Sequence, residues 1–292
     1  MSTDGFVGFL RGMGHIVRQT NDLYWYNEHP HVYTSFPFHK LVDIDRLPMA
    51  EVLGKDGWAL RCPCEINKGR PSYRLTCTVR DYELSHLGSK ARNQTRRGLE
   101  QCRARPVSFE ELAKDGLRLN SETLVRQGRH IPSNFSTYWQ RYYDLASRTE
   151  GAHAWGVFVG VELAAYLIAF EMENVANVFI VRSSSKFLKY YPNNALFYEY
   201  LRNSLGANGY SEVSIGFESI RKDLASLDHF KMGMGFCAVP VGQRLELSPL
   251  FKQVLQRPVL NALIAIAPMW KHGEKLEKLG GLFEWYRDQL ER

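Results

Sequence analysis

A carboxylate, an imidazole and an ammonium group lie close together in the second half of the chain, beside predicted elements. Glu218 follows a predicted strand at 213–217, and His229 and Lys231 lie on a predicted helix at 221–232. A carboxylate or a histidine can take the proton of an attacking amine, and a lysine can bind a phosphate or a carboxylate. Each also has a structural interpretation: Glu218 as a carboxylate at a helix N-terminus, His229 as a packed or surface residue, and Lys231 as a solvated cation.

A second set of candidates lies on one predicted helix. Between residues 84 and 102, apolar residues recur at three- and four-residue steps, as on one face of an amphipathic helix. Arg92, Arg96 and Arg97 flank that face, within the densest run of positive charge, at 90–105. They could clamp an anionic acceptor or an RNA backbone, or they could form a solvated flank.

Composition narrows the class of protein. The 292 residues are 45% hydrophobic, which is enough for a substantial core, and the net charge of +6 with a pI near 9.0 allows a polyanionic partner without requiring one. Cys62-Pro-Cys64 has no second ligand pair, so we expect no metal site and buried free thiols in a reducing compartment. The N-terminus lacks a signal-peptide pattern, and Asn261 and Pro268 interrupt the longest apolar stretch. We therefore expect a soluble, cytoplasmic protein of open oligomeric state.

The elements that position these residues follow one order from residue 137 onward. The pattern predicts a helix, two strands joined by a turn, a third strand, a helix that starts at Pro192, a strand, a helix and a strand. Their predicted bounds are 137–148, 154–159, 164–170, 177–181, 192–205, 213–217, 221–232 and 236–241.

The flanking segments are less regular. The first forty residues, rich in aromatics, are predicted to form short strands and loops. Pro63 places its predicted strand at a sheet edge, and Pro106 is predicted to end the helix that starts at residue 84. The remaining predictions are strands at 57–65, 72–79 and 107–109 and helices at 110–126, 249–255, 259–267 and 274–290.

Three segments carry a resemblance to a known family. They are Lys90-Ala91-Arg92-Asn93-Gln94-Thr95-Arg96-Arg97-Gly98, Tyr191-Pro192-Asn193-Asn194-Ala195-Leu196, and Phe230-Lys231 followed by Gly235-Phe236. Together with the element order, they resemble the GNAT acyltransferases over residues 70–247, and within them the Fem peptidoglycan-bridge aminoacyltransferases and their acetyltransferase relatives. The resemblance implies an α+β GNAT fold with a partly degenerate N-terminal GNAT-like half and a helical C-terminal tail. The implied domains are 1–130 on the acceptor side, 131–247 on the acyl-donor side, and 248–292 as a tail packed on the body.

The resemblance also implies where the donor lies. It would sit between the strands at 177–181 and 213–217, which makes Glu218 the first candidate for a general base and His229 the second. The glycine-rich diphosphate loop of acetyl-CoA enzymes would fall within 181–194, where this sequence has no Gly-x-Gly/Ala. Serines, two lysines and a helix N-terminus could still hold phosphate there. The residues expected to hold the donor are Val181, Arg182, Ser183, Ser184, Ser185, Asn193, Asn194 and Lys231.

For the acceptor, Glu171 is expected to orient an amine, and the arginines Arg92, Arg96 and Arg97 to hold an anionic group. We expect an N-acyltransferase that passes an acyl group from acyl-CoA directly to an amine of a small molecule, peptide or amino sugar, without a covalent intermediate or a metal. Two alternatives stay open: aminoacyl transfer from charged tRNA, and a non-catalytic GNAT module that binds a ligand. The long helical arm of some Fem proteins is missing, which by analogy disfavours tRNA recognition.

Overall fold

Helices and strands are mixed in this chain, which divides into two units. The computed structural model describes residues 3–218, 225–266 and 274–291. Unit A takes its described residues from Met1–Met13, Leu75–Gly216 and Leu227–Ala238, and unit B takes its own from Gly14–Arg74, Phe217–Ser226 and Val239–Arg292. The proposed division into acceptor and donor domains at residues 130 and 131 stays a prediction.

The predicted hairpin lies at the centre of the unit A sheet. The strands are β6 (Arg103–Val107), β7 (Ala152–Val159), β8 (Glu162–Met172), β9 (Val175–Ser183) and β10 (Glu212–Phe217). Their order is β10-β9-β8-β7-β6, and β10 runs parallel to β9 whereas the other neighbours are antiparallel. Gly160 adopts φ +61° in the turn between β7 and β8, a conformation that favours glycine. The hairpin, the third strand and the strand that follows the helix are thus confirmed.

Helices cover both faces of this sheet. They are α1 (Asp4–Gly12), α3 (Ser89–Gln101), α4 (Phe109–Arg126), α5 (Phe135–Ser147), α6 (Pro192–Arg202) and α7 (Ala225–Gly233). Phe170 of β8 packs against Tyr142 of α5, whereas His153, which lies opposite Ala169, bonds to Tyr200 of α6. Because alternate strand residues point to opposite faces, α5 and α6 lie on opposite sides of the sheet. This explains why β8 is buried without interruption from residue 163 to residue 172.

Two predictions for the basic helix and its surroundings are wrong. A short 3₁₀ turn at Leu84–His86 comes first, and α3 begins only at Ser89, because Gly88 has an extended backbone. Pro106 does not end a helix; it lies in β6. β6 is the last strand in the order and has a neighbour on one side only. A proline is tolerated there, because its missing N–H removes no bond on the unpaired side.

The N-terminal helix α1 corrects the prediction that the first forty residues form only short strands and loops. Its apolar face buries Phe6, Val7, Phe9 and Leu10. The rings of Phe6 and Phe9 lie 5.1 Å and 4.6 Å from the ring of Phe170 on β8. The helix therefore contributes to the core of unit A, on the face that α5 also covers.

Unit B contains β1 (Val17–Thr20), β2 (Leu23–His29), β3 (Val32–Phe36), β4 (Ala59–Cys64) and parts of β5 (Arg70–Cys77) and β11 (Cys237–Leu247). Its helices are α2 (Met49–Leu53), α8 (Pro249–Val254), α9 (Arg257–Ile266) and α10 (Glu274–Leu290). The helical tail is confirmed, and Leu260 and Tyr286 pack in one buried cluster with Ala59 and Leu245. The predicted helix at 221–232 falls partly outside the described residues, which resume at residue 225.

The edge position predicted from Pro63 is wrong. The strand order places β4 between β3 and β11. Pairing with β3 covers residues 59–61 and pairing with β11 covers residues 59–64, so Pro63 lies beyond the stretch that β3 pairs. On that side its carbonyl accepts the Val42 N–H at 2.8 Å, so the missing N–H of the proline removes no bond to β3. Among the described helices, none combines the length and the apolar character that crossing a bilayer requires.

Candidate functional site

The parallel pair β9 and β10 separates after a short contact. Their register covers three residue pairs and ends with Ser214 opposite Asn177. β9 continues to Ser183 against β8 on its other side, and Phe179 is 37% exposed while the next three residues are half-buried. Backbone N–H and C=O groups of this part of β9 can therefore bind a ligand on the β10 side. We call this the β9–β10 opening, defined by residues 178–182 and 215–216.

Two buried polar side chains mark the closed end of the opening. Asn177 is 4% exposed and donates through Nδ2 to the Val175 carbonyl at 3.1 Å. Ser214 is 1% exposed, and its hydroxyl has no hydrogen-bond partner within the described part of the chain. A buried hydroxyl without a partner can bind a polar group that enters the opening.

Arg182, expected to hold the donor, points toward α5. Its guanidinium lies 5.7 Å from the ring centre of Trp139, and its Nη1 donates to the Val181 carbonyl at 2.9 Å. Burial raises the pKa of Tyr138 and of Tyr143, and the Arg182 charge opposes that rise in both. The side chain thus stands among aromatic residues on one face of the sheet, apart from the serine segment that follows it.

The serine segment is held by α4 across a large separation in sequence. Arg126 donates through Nη1 to the Ser183 carbonyl at 2.9 Å and to the Ser185 hydroxyl at 3.1 Å. The Glu122 carboxylate accepts the Ser185 N–H at 3.1 Å. Sequence reasoning missed these two α4 residues, because no local pattern reveals contacts that span about sixty residues.

Ser184 completes this arrangement. Its hydroxyl accepts from Arg118 Nη1 at 3.4 Å, and Arg118 also forms an ion pair with Glu122 at 2.8 Å. Burial raises the pKa of Glu122, but hydrogen bonds from Ser184, Arg118 and the Ser185 amide outweigh it and hold that pKa below its usual value. An open groove of about 540 Å³ runs along this contact; it is lined by Ser121, Glu122, Val125, Arg126, Ile131, Ser185 and Lys186.

The start of α6 contains the two asparagines predicted to bind the donor. Tyr191 precedes the helix with φ +54°. Asn194 is buried, its N–H donates to the Tyr191 carbonyl at 3.1 Å, and its Nδ2 lies 3.4 Å from the sulfur of Met234. Asn193 donates through Nδ2 to the Ser183 hydroxyl at 3.4 Å, so the structure brings these two candidates together, and their assignment to donor binding stays a prediction.

Lys231 and His229 have contrasting surroundings on α7. Lys231 is 9% exposed and forms an ion pair with Asp228 at 3.0 Å, so its charge is balanced within the helix. His229 is exposed. Their assignment to donor binding and catalysis stays a prediction.

Among the three arginines of α3, Arg92 differs from the others. Its Nη2 donates to the Leu87 carbonyl at 2.9 Å and to the Ser85 carbonyl at 3.3 Å, so it holds the segment that precedes the helix. Arg96 and Arg97 are exposed. Only the latter two are placed to bind a large anion from solution without breaking a contact of the fold.

Glu171 is 5% exposed and lies beside Tyr210, whose pKa is raised to about 12 by burial and by this carboxylate. The Tyr210 ring stacks on the His153 ring at 5.9 Å, and burial lowers the pKa of that histidine. Glu171 is therefore part of a buried cluster on the α6 face. Glu218, assigned to unit B, is half-buried, and its N–H donates to the Tyr73 carbonyl at 2.8 Å.

Comparison with known proteins identifies the fold. FemX is 12% identical and superposes with a TM-score of 0.62 over 86% of this chain and 93% of its own. L-PGS from Bacillus licheniformis is 15% identical, with a TM-score of 0.55 over 86% of this chain and 91% of its own. This chain has a GNAT-like fold related to that of the Fem transferases. No family model matches the sequence, and no curated protein resembles it in sequence.

The GNAT-like fold confirms the resemblance inferred from the three sequence segments. The superpositions align 86% of this chain with nearly the whole of each neighbour. The likeness therefore includes the N-terminal half and is not confined to the strands around the opening. At these identities the likeness concerns the fold, and the roles of individual side chains depend on the geometry described above. No cluster of three or more potential metal ligands occurs in the described ranges.

Proposed function

We propose that this chain is an N-acyltransferase that passes an acyl group directly from an activated donor to an amine. The observation that carries the proposal is the β9–β10 opening, where β9 loses its parallel partner after Asn177. N–H groups of an unpaired strand edge can donate to a carbonyl oxygen. Such donors stabilise the negative charge that develops on that oxygen during acyl transfer.

The chemistry that this opening supports is a single displacement. The amine nitrogen attacks the acyl carbonyl, the new C–N bond forms, and the bond from the carbonyl carbon to the leaving oxygen or sulfur breaks. The amine proton passes to a base, for which Glu218 is the first candidate and His229 the second, and the leaving group takes up a proton. The donor predicted from the resemblance is acyl-CoA, and the predicted acceptor is an amine of a small molecule, peptide or amino sugar.

A transfer assay with matched carboxylate variants tests this proposal. Purified protein is incubated with acetyl-CoA, longer acyl-CoAs, acetyl-pantetheine and aminoacyl-tRNA in turn, together with a panel of amines, and acylated amine is measured by mass spectrometry. We expect transfer from at least one donor, and a rate lower by about a hundredfold or more in Glu218→Gln than in the control Glu173→Gln, which changes an exposed glutamate in the turn between β8 and β9. Donor binding without transfer from any donor would instead identify a non-catalytic module.

A second candidate function, aminoacyl transfer from charged tRNA, is supported by the exposed cations of α3. Arg96 and Arg97 project into solvent on the helix whose sequence resembles the Fem proteins. We expect tRNA affinity to fall with salt, and an Arg96→Gln/Arg97→Gln variant to bind more weakly with a shallower salt slope. The control is Arg148→Gln, an exposed arginine on another surface of unit A. Absent binding, or binding that salt does not weaken, would remove this candidate.

A further inference from the structure

The resemblance to GNAT enzymes predicts that the diphosphate of a CoA donor would lie within residues 181–194, between β9 and the start of α6. A diphosphate in such a turn needs free backbone N–H groups that point toward it. The N–H groups of Ser184, Phe187 and Tyr191 donate to the carbonyls of other residues in unit A, and that of Ser185 donates to Glu122. This part of the turn is therefore already bonded within the protein.

The first turn of α6 likewise has few free N–H groups for a diphosphate. Pro192 has no N–H, and the N–H groups of Asn194 and Ala195 both donate to the Tyr191 carbonyl, at 3.1 Å and 3.3 Å. A helix N-terminus attracts anions through its unsatisfied N–H groups. Since Pro192 lacks an N–H and that of Asn194 is already bonded, this helix start has fewer free N–H groups for an anion than an ordinary one.

α3 packs directly on the same turn. A Cβ placed on Gly98 would lie 2.9 Å from the Tyr191 carbonyl oxygen and 3.4 Å from the Ala195 nitrogen. The Cys102 sulfur lies 3.5 Å from the Tyr190 carbonyl oxygen. The approach that a diphosphate would use on this side is therefore filled by the helix.

Charge reinforces this closure. The Glu122 carboxylate bonds directly to the Ser185 amide, where it would repel a phosphate. The neighbouring cations are engaged: Arg118 with Glu122, Lys186 with Glu162 at 2.7 Å, and Arg126 with the serine segment. Arg118 and Lys186 could therefore bind a phosphate only by giving up an ion pair with a carboxylate. The exposed Lys189, whose ammonium lies 5.0 Å from the Tyr190 ring centre, is the remaining lysine of the segment.

We infer that Glu122 is the residue that closes the turn between β9 and α6 against a diphosphate. The residues present do not fit the diphosphate of CoA. The Glu122 carboxylate accepts the hydrogen bond of the Ser185 N–H, which is then not available to a phosphate oxygen. This inference rests on the proposed function. It implies that the acyl group of the donor enters the β9–β10 opening while no diphosphate is bound at this turn. A donor such as an aminoacyl ester on RNA, whose phosphates lie away from the acyl group, meets that condition.

Binding measurements with three probes test the inference independently of catalysis. Dissociation constants are measured by calorimetry for acetyl-CoA, acetyl-pantetheine and inorganic pyrophosphate, and hydrogen exchange locates binding at residues 183–195. The variants are Glu122→Gln, which removes the charge, and Glu122→Ala, which also frees the Ser185 amide. Glu110→Ala, an exposed carboxylate on the same helix, is the control.

We expect the wild-type protein and the control to bind acetyl-CoA no more than about threefold tighter than acetyl-pantetheine, and pyrophosphate not at all. Glu122→Ala should bind pyrophosphate with protection of residues 183–195, and should favour acetyl-CoA at least tenfold, with Glu122→Gln in between. A tenfold preference in the wild-type protein, or no gain in Glu122→Ala, overturns the inference. Because pyrophosphate carries no acyl group, this result stands apart from the transfer assay that decides the proposed function.

Discussion

Replacing Gly98 with alanine should destabilise unit A, although the same change stabilises a helix at an open position. In the interior of α3, alanine is favoured over glycine by about 0.8–1.0 kcal/mol of helix propensity. The added Cβ would lie 2.9 Å from the Tyr191 carbonyl oxygen, which is backbone and cannot rotate away. Restoring ordinary contact requires a shift of about 0.5 Å between α3 and the turn. Overpacking of this kind costs about 1–3 kcal/mol.

The clash therefore outweighs the propensity, and we expect a net loss of about 1 kcal/mol of unfolding free energy for Gly98→Ala. Gly98→Val adds two more carbons against the same oxygen and should cost about 2–4 kcal/mol. The matched control is Gly8→Ala on α1, where nothing lies within 4 Å of the added Cβ. That variant should gain up to about 1 kcal/mol.

Urea titration gives the free energy of each variant, and hydrogen exchange at residues 191–195 gives the local effect, since two units need not unfold together. We expect faster exchange in that turn for Gly98→Ala and unchanged exchange for Gly8→Ala. If Gly98→Ala stabilises the protein as much as the control does, α3 does not pack on the turn. The turn before α6 would then be open to a diphosphate on the side of α3.

Three further predictions concern single side chains. Gly5→Ala should lower the melting temperature, because its Cβ would contact the Glu150 carbonyl oxygen; an unchanged value in a thermal-shift assay would contradict this. Because the pKa of Glu122 is lowered from 4.5 in the folded protein, its carboxylate stabilises the fold above pH 4.5, and this contribution is lost as the pH falls through the lowered value. Glu122→Gln should therefore lose less stability on acidification than the wild-type protein in urea titrations at stepped pH. Cys237 is exposed while the other four cysteines are buried, so a thiol reagent should modify one thiol in the native protein and five after unfolding.

Most helices and strands of unit A could be predicted from the sequence, because each is marked by a pattern within a few neighbouring residues. The hairpin could be recognised from two apolar runs around a turn, and α6 from the proline and asparagines at its start. The helix α1 was missed because nearby aromatics and prolines suggested strands, although Phe6 and Phe9 lie at helical spacing. The prediction for Pro63 is wrong because a proline is excluded only where its missing N–H would remove a ladder bond. Residues 62–64 of β4 extend beyond the pairing with β3, so Pro63 removes no such bond although β4 is not an edge strand.

The candidate site shows a different limit. The sequence shows that the segment at 181–194 lacks a glycine-rich loop. It does not show which residues contact that segment instead. Glu122 lies 63 residues before Ser185, and its position depends on how α4 packs on β9. Arg182 directly precedes the serine segment in sequence, yet alternation along β9 turns its side chain toward Trp139.

The two faces of α3 connect these observations. Thr95, Gly98 and Cys102 are buried, and this face packs on the turn before α6. Arg96 and Arg97 are exposed, because on a helix with 3.6 residues per turn Arg96 lies about 160° from Gly98 and Arg97 about 100°. The helix that packs on this turn thus presents its cations to solvent. A donor that carries phosphates far from its acyl group could use those cations, whereas a compact CoA molecule would need the turn itself. Weaker tRNA binding in the Arg96/Arg97 variant, together with pyrophosphate binding that is absent in the wild-type protein and gained in Glu122→Ala, would therefore favour an RNA-linked donor over acyl-CoA.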